Sequence, residues 1–543
     1  MNIKRFTNRR AFLVGSLSLL LSGLLLRVKA QNNQSKVEVL ARKPKAEANA
    51  RLGINFDSIN DWTTEQPFVD FFYCSREWIS QTNGGGWGMG PKLLLDEYGW
   101  IKELAPNCRA TRIICAPGEG LYPSGEYVVL YEGEGELKLT FEIGKAIARE
   151  PGRVVFKINS SSERGYLSLD LVSTNTENYL RNIRVIAPGF EASYQKNPWN
   201  PEFIKRWSGI ACVRMMDLMK TNNSSIVRWE DRPTLKDAGF TSKGVPVELL
   251  VDLANRLDTD AWVCIPHKAD DDYVRQLAIY IKANLNPTLK VWIEYSNELW
   301  NGIFEQSRYA GDKGQIMKFA DKPWEAAWKY TAHRSIEIFN IFDKVYAKQG
   351  GLVKVLASQA ASVYVSEEIL SFEKASQYAD VLAIAPYVSL NVPAESADEI
   401  SEKTVENWSL DQLFSHLNKV SLPESARWIE DSKKVADKFG LKLVAYEAGQ
   451  HLVGLGGAEN NNKLTQLLTT ANADKRMGEI YQQNLSAWEK AGGDLICTYS
   501  SMTAWTKWGS WGLLRNNLED PKESPKFSAV IKWAISRGQK MSL

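Results

Sequence analysis

The chain has 543 residues, 44% of them hydrophobic and 24% charged, with 66 Lys+Arg against 64 Asp+Glu. That apolar content can bury a core and excludes a disordered chain. Charges this close to balance exclude a nucleic-acid binder of the ordinary basic kind. Six Cys in such a length exclude a disulfide scaffold.

Residues 1–30 predict a signal peptide. Lys4, Arg5, Arg9 and Arg10 precede an apolar run from Ala11 to Leu26, and Val28-Lys29-Ala30 offers small residues for cleavage. A membrane anchor is the other reading, but Gly15, Ser16, Ser18, Ser22 and Gly23 interrupt the run, which falls short of the ~20 residues a span needs. Asn8-Arg9-Arg10-Ala11-Phe12-Leu13 resembles a twin-arginine signal, although a Sec signal can also carry two arginines. The segment holds six basic residues and no acidic one. The exported chain would carry 60 Lys+Arg against 64 Asp+Glu, with no further membrane span and a periplasmic or extracellular location. Residues 31–50 are polar and aperiodic and read as a tether.

Leu52-Gly53-Ile54-Asn55-Phe56 reads as a short buried strand. From about 67 to 195 period-two alternation dominates, as in Tyr127–Tyr131, Leu137–Phe141, Val154–Ile158, Tyr166–Leu171 and Ile183–Ile186. Breaks with Gly or Pro between such runs predict an antiparallel β-sandwich. From about 205 apolar runs alternate with helical stretches. The runs are Ile210–Met216, Ala261–Ile265, Val291–Tyr295, Val353–Ala357, Val381–Ala385, Leu441–Ala445 and Leu495–Tyr499. Alternation of this kind implies parallel pairing. With the strand at 51–60, the count reaches the eight of an α/β (β/α)8 TIM barrel, with residues 61–204 inserted as the sandwich and 205–543 completing the barrel. A doubly wound open sheet of seven strands fits the pattern nearly as well.

In a barrel, chemistry gathers where strands end. The fourth strand ends in Trp292-Ile293-Glu294-Tyr295-Ser296-Asn297-Glu298, and the seventh in Ala445-Tyr446-Glu447-Ala448-Gly449. A carboxyl leaving an apolar wall beside a second carboxylate has a raised pKa. Two such acids facing one pocket are what a retaining glycosidase needs.

These two motifs resemble the strand-four and strand-seven signatures of clan A glycoside hydrolases, retaining enzymes on a (β/α)8 barrel. The resemblance implies that Glu298 is the acid/base, Asn297 a partner of the sugar 2-hydroxyl and Glu447 the nucleophile. It further implies that Arg214 keeps the nucleophile ionised, His267 meets substrate, Tyr387 touches the nucleophile and Trp505 floors the sugar subsite. The family within the clan is not assigned. The loop after Tyr387 and the inserted β-segment depart from the compact members.

Other readings compete at several positions. Glu294 shares strand parity with Glu298, which would point it into the barrel as well; the other reading is a structural acid paired with Arg214 or another base. His267 also fits a turn or cap. Asp270–Asp272 precede a helix, where acids are favourable without a metal. Tyr387 and Trp505 also fit a core. Trp505, Trp508 and Trp511 crowd one loop after strand eight, and Trp292 and Trp300 flank the strand-four motif. Indole faces suit pyranose rings, but many of the 19 Trp also suit a large core. Trp87 and Trp100 belong to the β-segment or roof the cleft. Cys108 and Cys115 are close enough in sequence to pair after export. Cys212, Cys264 and Cys497 read as buried thiols.

The expected activity is retaining hydrolysis of a glycosidic bond in a polysaccharide or oligosaccharide, with no cofactor and no metal. Glycan is the partner, and nucleic acid is not. A non-catalytic carbohydrate-binding protein and a transglycosylase remain the alternatives.

Overall fold

The structure is a computed structural model that describes residues 50–541 apart from 118–120, 140–143, 161–165, 348 and 397–398. The expected signal peptide, and the tether up to residue 49, lie outside the described residues.

Eight parallel strands close into a barrel: Arg51–Asn55, Cys212–Arg214, Asp260–Ile265, Val291–Tyr295, Leu352–Ala357, Val381–Ile384, Lys442–Ala445 and Leu495–Tyr499. The first strand closes it. It pairs with the second through Gly53–Asn55 and with the eighth along its whole length, from Arg51 opposite Leu495 to Asn55 opposite Tyr499. An open sheet would leave an edge unpaired there, so the closed reading of the strand pattern holds.

Each barrel strand alternates between two cores. Cys212, Trp262, Trp292, Val355, Val444 and Cys497 fill the barrel interior. Ile54, Val213, Val263, Ile293, Leu382 and Leu443 pack outward under the helices. Side chains two apart share a face. Asn55, Arg214, Glu294 and Tyr446 therefore point inward, one step beyond the last interior apolar residues. A buried polar layer thus follows the apolar one at the strands' C-terminal ends. Gly53 faces inward as well, and a Cβ there would lie 2.5 Å from Cys497 Sγ.

Helices such as Val247–Leu257, Asp271–Asn284, Pro323–Tyr346, Leu422–Lys438, Lys475–Lys490 and Pro525–Ser536 surround the barrel. Asp270 caps its helix by accepting from Tyr273 N at 2.7 Å, and Asp271 pairs with Arg334 Nη1 at 2.7 Å. Asp272 pairs with Arg275, so each acid of this run has a structural partner. No helix among the described residues is long and apolar enough to cross a membrane.

Between the first and second barrel strands lie two four-stranded antiparallel sheets. One runs Ile79–Thr82, Cys108–Cys115, Leu167–Thr174, Gly135–Leu139. The other runs Arg181–Ile186, Gly125–Glu132, Arg153–Ile158, Gly144–Glu150. Ile114, Leu137 and Leu169 of the first share one core cluster with Tyr127, Phe156 and Val185 of the second. Cys108 and Cys115 are the two ends of one strand. At about 3.3 Å per residue they stand some 23 Å apart, so the pairing that their closeness in sequence allowed cannot form. All six thiols are free.

One further element shapes the site. Val388–Pro393 and Gln450–Leu455 pair in parallel just beyond the sixth and seventh strands. This ribbon extends the barrel wall upward and carries His451 into the mouth.

Candidate active site

The strand ends open into a cavity of about 890 Å³. Barrel residues Asn297, Glu298, Tyr387 and Glu447 line it, and Arg76, Trp78 and Pro117, from between the first and second barrel strands, form part of its wall.

Arg214 organises its floor. The side chain is wholly buried. Nε and Nη2 donate to the two oxygens of Glu294 at 2.9 and 3.0 Å. Nη1 donates to Glu447 Oε1 at 3.0 Å and to Asn55 Oδ1 at 3.3 Å, and Nη2 also reaches Asn297 Oδ1 at 2.8 Å. Burial alone would lower the guanidinium pKa, but Glu294 and its other acidic neighbours lift it well above the ordinary value. Glu294 also accepts from Trp262 Nε1 at 2.9 Å. Cys264 Sγ donates to it as well, at 3.4 Å, so Glu294 is a structural acid held by four donors and absent from the cavity lining.

The two remaining glutamates differ in their partners. Glu447 accepts from Arg214 and from Tyr387 Oη at 2.9 Å. Burial raises its carboxyl to about 7, with Arg214 and Tyr387 pulling against that rise. Glu298 faces only neutral donors, Asn301 Nδ2 at 3.0 Å and Tyr446 Oη at 3.1 Å. Burial and then the charge of Glu447 raise it to about 8. A proton shared by this pair therefore resides on Glu298, because Glu447 alone is held by a full positive charge. The chain reaches this geometry through a tight turn. Ser296 and Glu298 have φ of 57° and 43°, left-handed values that cost a non-glycine residue about 1–3 kcal/mol each. That turn swings Glu298 back over the barrel mouth.

Asn297 lines the cavity and is held at both ends, by Arg214 and by donation of its Nδ2 to Asn222 Oδ1 at 3.0 Å. Tyr387 stands just past the sixth strand and within reach of Glu447.

Two expected substrate contacts lie elsewhere. His267 is buried behind the cavity, its ring against Tyr309 with centroids 5.2 Å apart. Neither ring nitrogen has a hydrogen-bond partner, and burial lowers its pKa to about 4. Helix capping falls to Asp270, and His267 sits in the turn closed by Ala269 N donating to Pro266 O at 3.0 Å, as its turn reading has it, outside the cavity lining. Trp505 also misses the cavity. Its Nε1 donates to Gly512 O at 3.1 Å, and Lys526 Nζ lies 4.1 Å from its ring centre. The loop's cavity aromatics are Trp508 and Trp511. Trp511 packs on His451, Tyr499 and Tyr387 with centroids 4.6, 6.0 and 6.3 Å apart. Trp292 stacks on Trp262 inside the barrel, and Trp100 stacks on Phe72 in the core shared by the two antiparallel sheets.

Asp57, Asp217, Tyr499 and His451 also line the cavity, and sequence reading passed over them. Asp57, Asp217 and Tyr499 stand at or just beyond strand ends, so the rule that found Glu298 and Glu447 applies to them too. His451 lies on the added ribbon, for which the strand count gave no signal.

No family model matches the chain, and no curated protein matches it. Solved structures do. A 4-O-α-L-rhamnosyl-β-D-glucuronidase from Fusarium oxysporum 12S is 12% identical with a TM-score of 0.37, covering 64% of this chain and 66% of its own. A broad specificity endoglucanase from Clostridium acetobutylicum is 14% identical with a TM-score of 0.33, covering 62% of this chain and 90% of its own. An endo-1,4-β-D-mannanase from Thermotoga petrophila RKU-1 is 12% identical with a TM-score of 0.30, covering 60% of this chain and 92% of its own. Likenesses this distant decide nothing about activity, which rests on the site itself.

Proposed function

We propose that the chain is an exported retaining glycoside hydrolase that cleaves glycosidic bonds in a polysaccharide or oligosaccharide. One observation carries the reading. Glu298 and Glu447 open onto one cavity, one held by neutral donors and the other by an arginine and a tyrosine. That asymmetry suits a proton donor and a nucleophile. In this class the two carboxyls stand about 5–5.5 Å apart. Glu447 attacks the anomeric carbon while Glu298 gives its proton to the departing glycosidic oxygen. Glu298, now ionised, takes a proton from water as that water displaces Glu447 from the same carbon. Arg214 and Tyr387 stabilise the Glu447 carboxylate before attack and as it leaves. Asn297 presents its amide to the sugar, and Trp511 offers the ring a flat apolar face.

We read the two antiparallel sheets as an inserted β-sandwich over 61–204, set between a first barrel strand at 51–60 and the rest of the barrel at 205–543. Residues 1–30 are assigned as the export signal and 31–50 as a tether. The test is a panel of neutral and charged polysaccharides with the first-formed product followed by proton NMR. Release of the retained anomer is expected. Inverted product, or no cleavage of any member, rejects the proposal.

A further inference from the structure

Beyond the pair assigned to bond cleavage, the cavity holds a second acidic pair. Asp57 stands two residues past the end of the first strand and Asp217 three past the end of the second, on adjacent sides of the barrel mouth. Both line the cavity. Asp217 is only 5% exposed. Its Oδ2 accepts from Tyr499 Oη at 3.1 Å, and its Oδ1 has no hydrogen-bond partner among the described residues. Asp57 Oδ1 accepts from the backbone N of the neighbouring Ser58 at 2.8 Å, and the Ser58 side chain also favours its ionised form. Lys220, also on the cavity wall, attracts both acids.

Double displacement uses neither acid; Asp217 is buried and Asp57 half-buried, and withdrawing such acids from water is costly unless something donates to them. Burial raises each to about 7, the pull of Lys220 notwithstanding. A carboxylate only accepts hydrogen bonds, and a sugar hydroxyl is a ready donor. The wider lining points the same way. Asp57, Asp61, Glu77, Asp217 and Glu447 face Arg76 and Lys220, while Glu298 holds the proton it shares with Glu447. Of these two cations, Arg76 is already engaged, its Nε donating to Asp61 at 3.0 Å. A uronate or sulfate in this space would meet like charge with no free arginine to receive it.

We infer that Asp57 and Asp217 form a specificity subsite that takes an uncharged glycosyl unit through its hydroxyls and turns away anionic sugars. This rests on the glycan reading above but does not need turnover.

The test therefore separates binding from cleavage. Glu447→Gln protein, full length, is titrated against gluco-, manno-, galacto- and xylo-configured neutral oligosaccharides and against uronate-bearing and sulfated ones. Binding confined to neutral members is expected. In the same background, Asp217→Asn and Asp57→Asn should each weaken neutral binding about tenfold and narrow the neutral-to-uronate ratio by a similar factor. Lys220→Met, which removes positive charge, should widen that ratio. Charged members bound as well as neutral ones, no member bound, or a ratio unmoved by all three substitutions overturns the inference. Selective binding without cleavage by the parent protein would instead remove the hydrolase reading and leave the subsite standing.

Discussion

Arg214 Nη1 lies 3.0 Å from Glu447 Oε1, and neither side chain meets bulk water to any extent, the arginine being 0% and the glutamate 9% exposed. The same guanidinium holds Glu294 through two parallel bonds and Asn297 through a third. One cation thus fixes the nucleophile assigned here and the amide assigned to the sugar, and it does so from the barrel's inner wall.

Replacing it should be severe. Arg214→Met leaves Glu294 and Glu447 buried without a counter-charge, and breaking a buried pair of this kind costs about 3–5 kcal/mol. Arg214→Lys keeps a charge but offers no fork to span Glu294 and Glu447 together. We expect both variants to lower the melting temperature. For Lys, which should still fold, kcat/KM should fall at least ~100-fold, the equivalent of about 2.7 kcal/mol of transition-state stabilisation. Steady-state kinetics beside a thermal melt check this. A Lys variant with unchanged kcat/KM would show that Glu447 needs no such partner.

The two glutamates should fail differently. Glu447→Gln removes the attacking oxygen and should abolish turnover with every leaving group. Glu298→Gln removes proton donation, which contributes about 10²–10⁴-fold. An aryl glycoside whose phenol leaves without protonation should still form the glycosyl-enzyme in the Glu298 variant and show a burst of phenol. Stopped-flow absorbance reads that burst. Equal loss with good and poor leaving groups would deny Glu298 the acid role.

Much of this site was legible because strand ends are legible. Val291–Tyr295 and Lys442–Ala445 are apolar runs that stop at acids, and in a parallel barrel that stop marks the mouth. Parity then placed Glu294 inward with Arg214. What the pattern could not convey is which loop residue turns toward the cavity. Trp505, Trp508 and Trp511 are equivalent in sequence. Only the fold shows Trp505 committed to Lys526, with Trp511 set against His451. His267 misled for a similar reason, since it directly follows a barrel strand but turns back toward Tyr309. Helix Glu305–Ile316 also escaped notice. It approaches the following helix closely through Gly311 and Gly314, set against the Pro323 and Ala326 carbonyls, so no apolar stripe announces it.

The activity should be narrow in pH. Glu447 must be ionised, and it gains its proton as pH falls through about 7. Glu298 must be protonated, and it loses its proton as pH rises through about 8. The pair titrates jointly, so the two limbs are macroscopic. A bell in kcat/KM with its maximum between the limbs is expected. Tyr387→Phe removes a donor to Glu447 and should move the acidic limb upward while leaving the basic limb in place. Movement of the basic limb alone would reverse the two assignments.

Glu65 offers a test of stability that leaves Glu298 and Glu447 untouched. It is 3% exposed and accepts from Trp207 Nε1 at 2.6 Å and Ser501 Oγ at 2.5 Å. Burial raises its carboxyl from 4.5 to about 7. A raised carboxyl favours the folded state most below its unfolded pKa, and that contribution is lost as pH climbs through the folded value. Glu65→Gln has nothing to ionise and can still accept from Trp207. Its melting temperature relative to the parent should therefore climb between pH 5 and pH 8. Glu65→Ala instead leaves Trp207 Nε1 and Ser501 unsatisfied, at about 1–3 kcal/mol for each buried group, and should melt lower than the parent at both ends of that range. Parallel melts of the three proteins decide it. A Gln-to-parent difference that stays flat with pH would mean Glu65 is ionised in the fold, held by its two donors against burial.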